Sequence, residues 1–120
     1  MKIHTIGGYN EVGKNMTAVE IGDDVFIFDA GLYLPPIVEL EENERIMNEK
    51  ELRRIGAIPQ DIVLDRQGLR EKVRAILIGH AHLDHVGAVP YIAQRYDAEV
   101  LGTPFTNTVL RTLMRDEDVR

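Results

Sequence analysis

The 120-residue sequence contains no cysteine, which excludes a disulfide framework and any thiolate metal site. It has no apolar run near the roughly 18 residues that a membrane-spanning helix requires. Its start, Met1-Lys2-Ile3-His4-Thr5-Ile6-Gly7, lacks the apolar stretch and small-residue cleavage site of a secretory signal. These absences predict a cytoplasmic protein with no membrane insertion. Basic residues are outnumbered, 14 Lys and Arg against 20 Asp and Glu for a net charge of −6, which weighs against a broad phosphate-binding surface. No repeat or low-complexity linker interrupts the chain, so residues 1–120 read as one domain with one modest core.

Histidine is scarce too, and its distribution is informative. Of four histidines, three fall within six residues: His80, His82 and His85, with Asp84 among them, in Ile76-Leu77-Ile78-Gly79-His80-Ala81-His82-Leu83-Asp84-His85-Val86-Gly87-Ala88-Val89-Pro90. The preceding Ala75-Ile76-Leu77-Ile78 reads as a strand buried on both faces, of the kind found in parallel sheets. Such a strand delivers the next residues to its carboxyl end, where open α/β sheets keep their sites. If the backbone stays extended, His80 and His82 point the same way and can grip one ion. Asp84 and His85 come where the chain turns helical, diverge by about 100°, and suit a second ion. Imidazole and carboxylate without thiolate favour zinc, with manganese or iron as weaker candidates.

Around this motif the chain reads as an antiparallel meander followed by a βαβ unit. Residues 2–6 and 15–21 carry strand composition on either side of a glycine-rich turn. After Gly22-Asp23-Asp24, Val25-Phe26-Ile27-Phe28 forms a third strand, its unbroken apolar run predicting burial on both faces. Asp29 ends that strand, either as a turn aspartate bonding its own backbone or in a functional role. The Gly7 to Asn15 loop lacks Walker spacing; Lys14 is its one cation and a candidate phosphate contact, with an ordinary hairpin turn as the alternative. From Tyr33 to Lys72 the composition is that of a surface excursion. Leu34-Pro35-Pro36 is placed outside any helix, a helix runs from 44 to 55 with Ile46, Leu52 and Ile55 toward the body, Ile58-Pro59-Gln60-Asp61 breaks it, and a short helical turn lies within 64–71. Beyond the motif, a tight turn through His85-Val86-Gly87 precedes a helix from near Pro90 to about Asp97. A strand at 99–102 comes next, parallel to its predecessor with a right-handed crossover. Thr103 caps a last helix that starts at Pro104, with Phe105, Val109, Leu110 and Leu113 as its core face and 115–120 as a solvated end.

The wider text resembles the archaeal type of the ribonuclease J family, within the metallo-β-lactamase superfamily. The resemblance rests on Gly7-Gly8-Tyr9-Asn10-Glu11-Val12-Gly13-Lys14-Asn15-Met16, Phe28-Asp29-Ala30-Gly31-Leu32, Ile58-Pro59, Gly79 through Tyr91, and Gly102-Thr103-Pro104-Phe105-Thr106. Members often carry Thr where this chain has Gly79, a position that binds no metal. The resemblance implies an α/β fold, the αββα metallo-β-lactamase-like sandwich, interrupted by an inserted β-CASP domain. Residues 1–120 would be the N-terminal part of that domain, with the insertion, the second half and further metal ligands lying outside them. It also implies two zinc ions, His80 and His82 on one and Asp84 and His85 on the other, with Asp84 orienting the attacking hydroxide and Asp29 bracing a ligand histidine. The substrate implied is RNA, cut by 5′-to-3′ exonucleolysis and by endonucleolysis, in a complete protein that is a homodimer. The fragment alone is expected to be inactive and to self-associate. Two other readings stay open: another superfamily hydrolase acting on a thioester, lactone or lactam, and a non-catalytic self-associating fragment.

Overall fold

A computed structural model describes residues 1–41 and 48–116. One mixed sheet holds five strands in the order β1-β2-β3-β4-β5. β1 (Lys2–Gly7), β2 (Met16–Ile21) and β3 (Asp24–Phe28) are the antiparallel meander, and β4 (Val73–Leu77) and β5 (Glu99–Leu101) join it parallel to β3. The β2–β3 connection is two residues long, and Gly22 takes the left-handed conformation (φ +59°) that such hairpins require. The register aligns Ala18, Ile27, Ile76 and Val100 across the sheet, and the first three are fully buried. On this face the core continues into Leu52, Leu64, Val86, Val89, Ile92 and Leu110 from the helices. The α/β class, the meander and the parallel βαβ unit agree with the sequence reading.

Burial of β3 and β4 on both faces does not. The opposite face, where Ile3, Val19 and Phe26 align beside Phe28, Leu77 and Leu101, leaves Ile3 60%, Phe28 43% and Leu101 45% exposed. Unbroken apolar strands are made for cover on both sides, and no helix or strand among the described residues covers this one.

Helix boundaries shift for local reasons. Leu34-Pro35-Pro36 opens α1 (Leu34–Glu41) rather than lying outside a helix, because proline in a first turn forgoes only a donor that has no partner there. The expected helix 44–55 is seen as α2 (Glu49–Arg54), capped by Asn48 Oδ1 accepting from Glu51 N at 2.9 Å, with Leu52 buried. Its earlier part, Ile46 included, falls outside the described residues, as do 117–120 of the predicted solvated end. α3 (Ile62–Arg66) and a 3-10 turn at Arg70–Lys72 supply the short helical stretch before β4. After the motif, helix begins earlier than Pro90: α4 (Leu83–Val86) forms first, and α5 (Val89–Ile92) comes next with Pro90 in its first turn, then a 3-10 turn at Ala93–Arg95. Thr103 caps α6 (Pro104–Asp116) as expected, its Oγ1 accepting from Thr106 N at 3.1 Å. The inward face of α6 is Thr106, Leu110, Leu113 and Met114, and Phe105 is 71% exposed. Counting back four from Leu110 lands on Thr106, so the neighbouring Phe105 is turned outward.

Behind the sheet lies a buried ionic cluster in a stretch that the sequence reading registers only as a helix break. Asp61 is fully buried. Its Oδ1 lies 2.7 Å from Arg53 Nη1, and its Oδ2 accepts from Tyr96 OH at 2.6 Å and lies 3.2 Å from Arg95 Nε. Arg95 also pairs with Asp65, and Arg53 with Glu49 at 3.1 Å. The cluster ties α2 and α3 to the end of the segment beyond the histidine motif. Burial, then the Asp61 charge and its hydrogen bond, push the Tyr96 hydroxyl well above its ordinary range.

Candidate metal centre

β4 ends at Leu77, and Ile78 N still donates to Leu101 O at 2.8 Å, so the pairing with β5 runs one residue further before Gly79 and His80. His82 is extended (φ −75°, ψ 153°), and its carbonyl accepts from both His85 N and Val86 N at 2.9 Å, starting α4. The strand-to-helix switch thus falls between the histidine pair and Asp84-His85. His80 Nε2 and His82 Nδ1 are 2.9 Å apart, with ring centroids at 4.0 Å. The His85 ring centroid is 5.3 Å from that of His80, and His85 Nε2 is 3.5 Å from Asp84 Oδ2. All four side chains gather at the carboxyl end of β4, with His80 and His82 exposed and the other two half-buried.

Asp29 meets this group from the end of β3. Its Oδ2 accepts from His85 Nδ1 and its Oδ1 from Gly79 N, each at 2.9 Å. A carboxylate only accepts, so this bond places a proton on His85 Nδ1 and points Nε2 toward Asp84. Asp29 does this from a left-handed backbone (φ +67°), which costs a non-glycine residue on the order of 1 kcal/mol. The residues after it run alongside α4: Ala30 N donates to His85 O, Ala88 N to Ala30 O and Leu32 N to Leu83 O, all at 2.8 Å. A Cβ on Gly31 would lie 1.7 Å from the Asp84 carbonyl oxygen, so only glycine allows this approach. From the β1–β2 loop, Asn15 N (3.1 Å) and Asn15 Nδ2 (2.8 Å) both donate to that same carbonyl.

Lys14 lies one residue away with φ +37°. Its ammonium donates to Gly56 O at 3.3 Å, is 3.8 Å from Glu11 and sits over the Tyr33 ring at 5.6 Å. That arrangement lends no support to a phosphate contact. The remaining histidine, His4, pairs with Glu20 at 3.2 Å and stands apart from the motif. Sequence reasoning assigns no role to Asn15 or Gly31, since no spacing rule links residue 15 or 31 to residue 84. An apolar hollow of about 570 Å³ opens beside His82 and Asp84, walled by Val12, Leu32, Leu34, Pro35, Leu83 and Val109.

Among the described residues, no three His, Asp or Glu side chains are placed to hold a metal ion between them. In pairs the donors suit one. Two nitrogens on a tetrahedral zinc at about 2.0–2.1 Å lie about 3.3 Å apart, so the 2.9 Å between His80 Nε2 and His82 Nδ1 needs to open by only a few tenths of an ångström. His85 presents Nε2 beside Asp84, with a carboxylate on its other nitrogen as metal-bound histidines have.

A family model described as the metallo-beta-lactamase superfamily matches residues 9–116. The sequence is 44% identical over 120 residues to ribonuclease J of Pyrococcus abyssi, covering 98% of this chain and 26% of the relative. It is 40% identical to ribonuclease J of Methanocaldococcus jannaschii, covering 100% and 27%. To ribonuclease J 2 of Streptococcus pyogenes serotype M3 it is 32% identical, covering 98% and 19%. The chain spans about a quarter of the length of the two archaeal relatives.

Proposed function

We propose that this chain, which belongs to the metallo-beta-lactamase superfamily, is the N-terminal part of a zinc-dependent ribonuclease of the ribonuclease J type. The observation that carries the reading is the convergence of His80, His82, Asp84 and His85 at one strand end, with Asp29 on the far nitrogen of His85. Similarity over the whole chain to proteins named ribonuclease J supports RNA as the substrate; the cleavage proposed for the complete protein is 5′-to-3′ from an end and also internal. His80 and His82 would hold one zinc and Asp84 with His85 the other; the ligands still needed would come from sequence beyond this chain. Such a pair of ions supplies hydroxide at neutral pH and neutralises charge on the phosphodiester oxygens. Asp84 orients the attacking oxygen through its carboxylate. Asp29 holds the His85 ring and its tautomer, and Gly31 lets the strand-end loop press against α4. The nitrogen-rich donor set favours zinc over manganese.

The exposed apolar sheet face is where the second half of the sandwich belongs in the complete protein, which we place in the cytoplasm as a homodimer. No described helix is long and apolar enough to cross a membrane. Alone, the 120-residue chain is expected to associate through that face and to be inactive.

Purified complete protein should hydrolyse a 5′-monophosphorylated RNA, and His82→Ala should reduce turnover to background while circular dichroism stays that of the wild type. A thioester assayed in parallel separates the other superfamily chemistry. Thioester hydrolysis without RNA cleavage, or RNA cleavage undiminished in the variant, contradicts the proposal.

A further inference from the structure

We propose that Asn15 is a positioning residue for Asp84, fixing the first turn of α4 so that the Asp84 carboxylate faces its metal. The inference rests on the ribonuclease reading of the same site. α4 has only four residues, so its carbonyls need partners from outside the helix. The amide four residues beyond Asp84, that of Ala88, donates to Ala30 O instead, which leaves the Asp84 carbonyl without a helical donor. Asn15 supplies two, its backbone N–H at 3.1 Å and its side-chain amide at 2.8 Å. The same residue accepts from Gly31 N at 3.0 Å, so one asparagine joins the β1–β2 loop, the strand-end loop and α4.

The surroundings hold Asn15 in place. A Cβ on Gly8 would lie 2.2 Å from Asn15 Oδ1, and Gly8 has φ +84°. Lys14 N donates to Leu32 O at 2.9 Å. A residue with only this backbone could make the first bond to Asp84; the second needs a side-chain donor of this length. Losing it removes one of the two donors to a carbonyl whose own residue is a candidate ligand, and loosens the peptide that carries the carboxylate. Asn15 acts on the candidate ligands through that backbone.

The test uses the complete protein with three substitutions: Asn15→Ala, Asn15→Asp, which changes one side-chain donor into an acceptor, and Asn48→Ala, which removes the cap of α2 far in sequence from the motif. Zinc affinity at each of the two sites is measured by competition with a chelating dye, alongside kcat and KM on RNA and thermal unfolding of the metal-free protein. Both Asn15 variants should bind the zinc assigned to Asp84 and His85 about 10- to 100-fold less tightly, the range for groups that orient ligands. Both should lose kcat by a similar factor and keep KM within about twofold. Asn48→Ala should lower the unfolding temperature with zinc affinity and kcat unchanged. Asn15 variants that bind both ions as the wild type does, or that lose zinc only in proportion to unfolding as Asn48→Ala would, overturn the inference while leaving the ribonuclease reading intact. Variants that do not fold also overturn it, since the role would then be structural. A wild type that binds no zinc and cleaves no RNA overturns both.

Discussion

Two polar clusters of this molecule use similar residues to opposite ends. Around Asp61, one carboxylate with no exposure is surrounded by Arg53, Arg95 and Tyr96, and each charge faces its opposite. Around the motif, ring nitrogens of His80 and His82 meet at 2.9 Å in the open, and His85 Nε2 lies 3.5 Å from an Asp84 carboxylate oxygen. Imidazole and carboxylate donors gathered in this way are the types that divalent cations take up. Buried charges that match fix a fold, because breaking such a pair strands its partner in low dielectric. Imidazole and carboxylate donors crowded at one strand end support the proposed metal site.

The contrast breaks first at Asp61. In the complete protein, Asp61→Ala should lower unfolding free energy by about 3–5 kcal/mol, the cost of leaving buried charge unpaired. His80→Ala should change it by less than about 0.5 kcal/mol, as exposed substitutions do. Urea unfolding of the metal-free proteins measures both, and similar losses from the two would erase the distinction. Next comes Asp29→Asn, which keeps the shape but puts an uncharged amide against His85 Nδ1. Turnover on RNA should fall about 10- to 100-fold; complete loss would make Asp29 a ligand.

Tyr96→Phe should cost about 1.5 kcal/mol at pH 7, the lower end for a hydrogen bond to a charged group. That difference should shrink above about pH 10. Because burial and Asp61 raise the Tyr96 pKa in the folded state, the unfolded chain releases this proton first. Wild-type stability therefore falls with rising pH where the phenylalanine variant has no proton to lose. Parallel alkaline profiles would contradict the assignment. The smallest effect is expected from Gly79→Thr: a Cβ there meets only Asp29 Oδ1, at 3.7 Å. Its unfolding free energy should move by no more than about 0.5 kcal/mol, and a larger loss would show that the added side chain disturbs the Gly79–Asp29 bond.

The legible parts of this chain are the local ones. Three histidines in six residues behind an apolar run place themselves, because one strand end and one helical turn set every relative direction. The meander and the Thr103 cap are legible for the same reason. The bonds from Asn15 to Asp84 and from Asp61 to Arg95 and Tyr96 join residues far apart in sequence, and no periodicity encodes them. Asp29 is legible as a turn residue; its bond to His85 across 56 positions is a product of the parallel β3–β4 pairing. The sheet misleads in another way: Phe28 and Leu77 report a face built to be covered, whether or not the covering sequence is in the chain.

Bound metal in the complete protein tests the metal-centre assignment most directly. Elemental analysis of wild type, Asp84→Ala and Tyr96→Phe, dialysed in one buffer, should give two zinc ions per chain for the wild type and for Tyr96→Phe, and about one for Asp84→Ala. A wild type without zinc, or an Asp84→Ala variant that keeps both ions, would contradict the assignment of the motif as a metal centre.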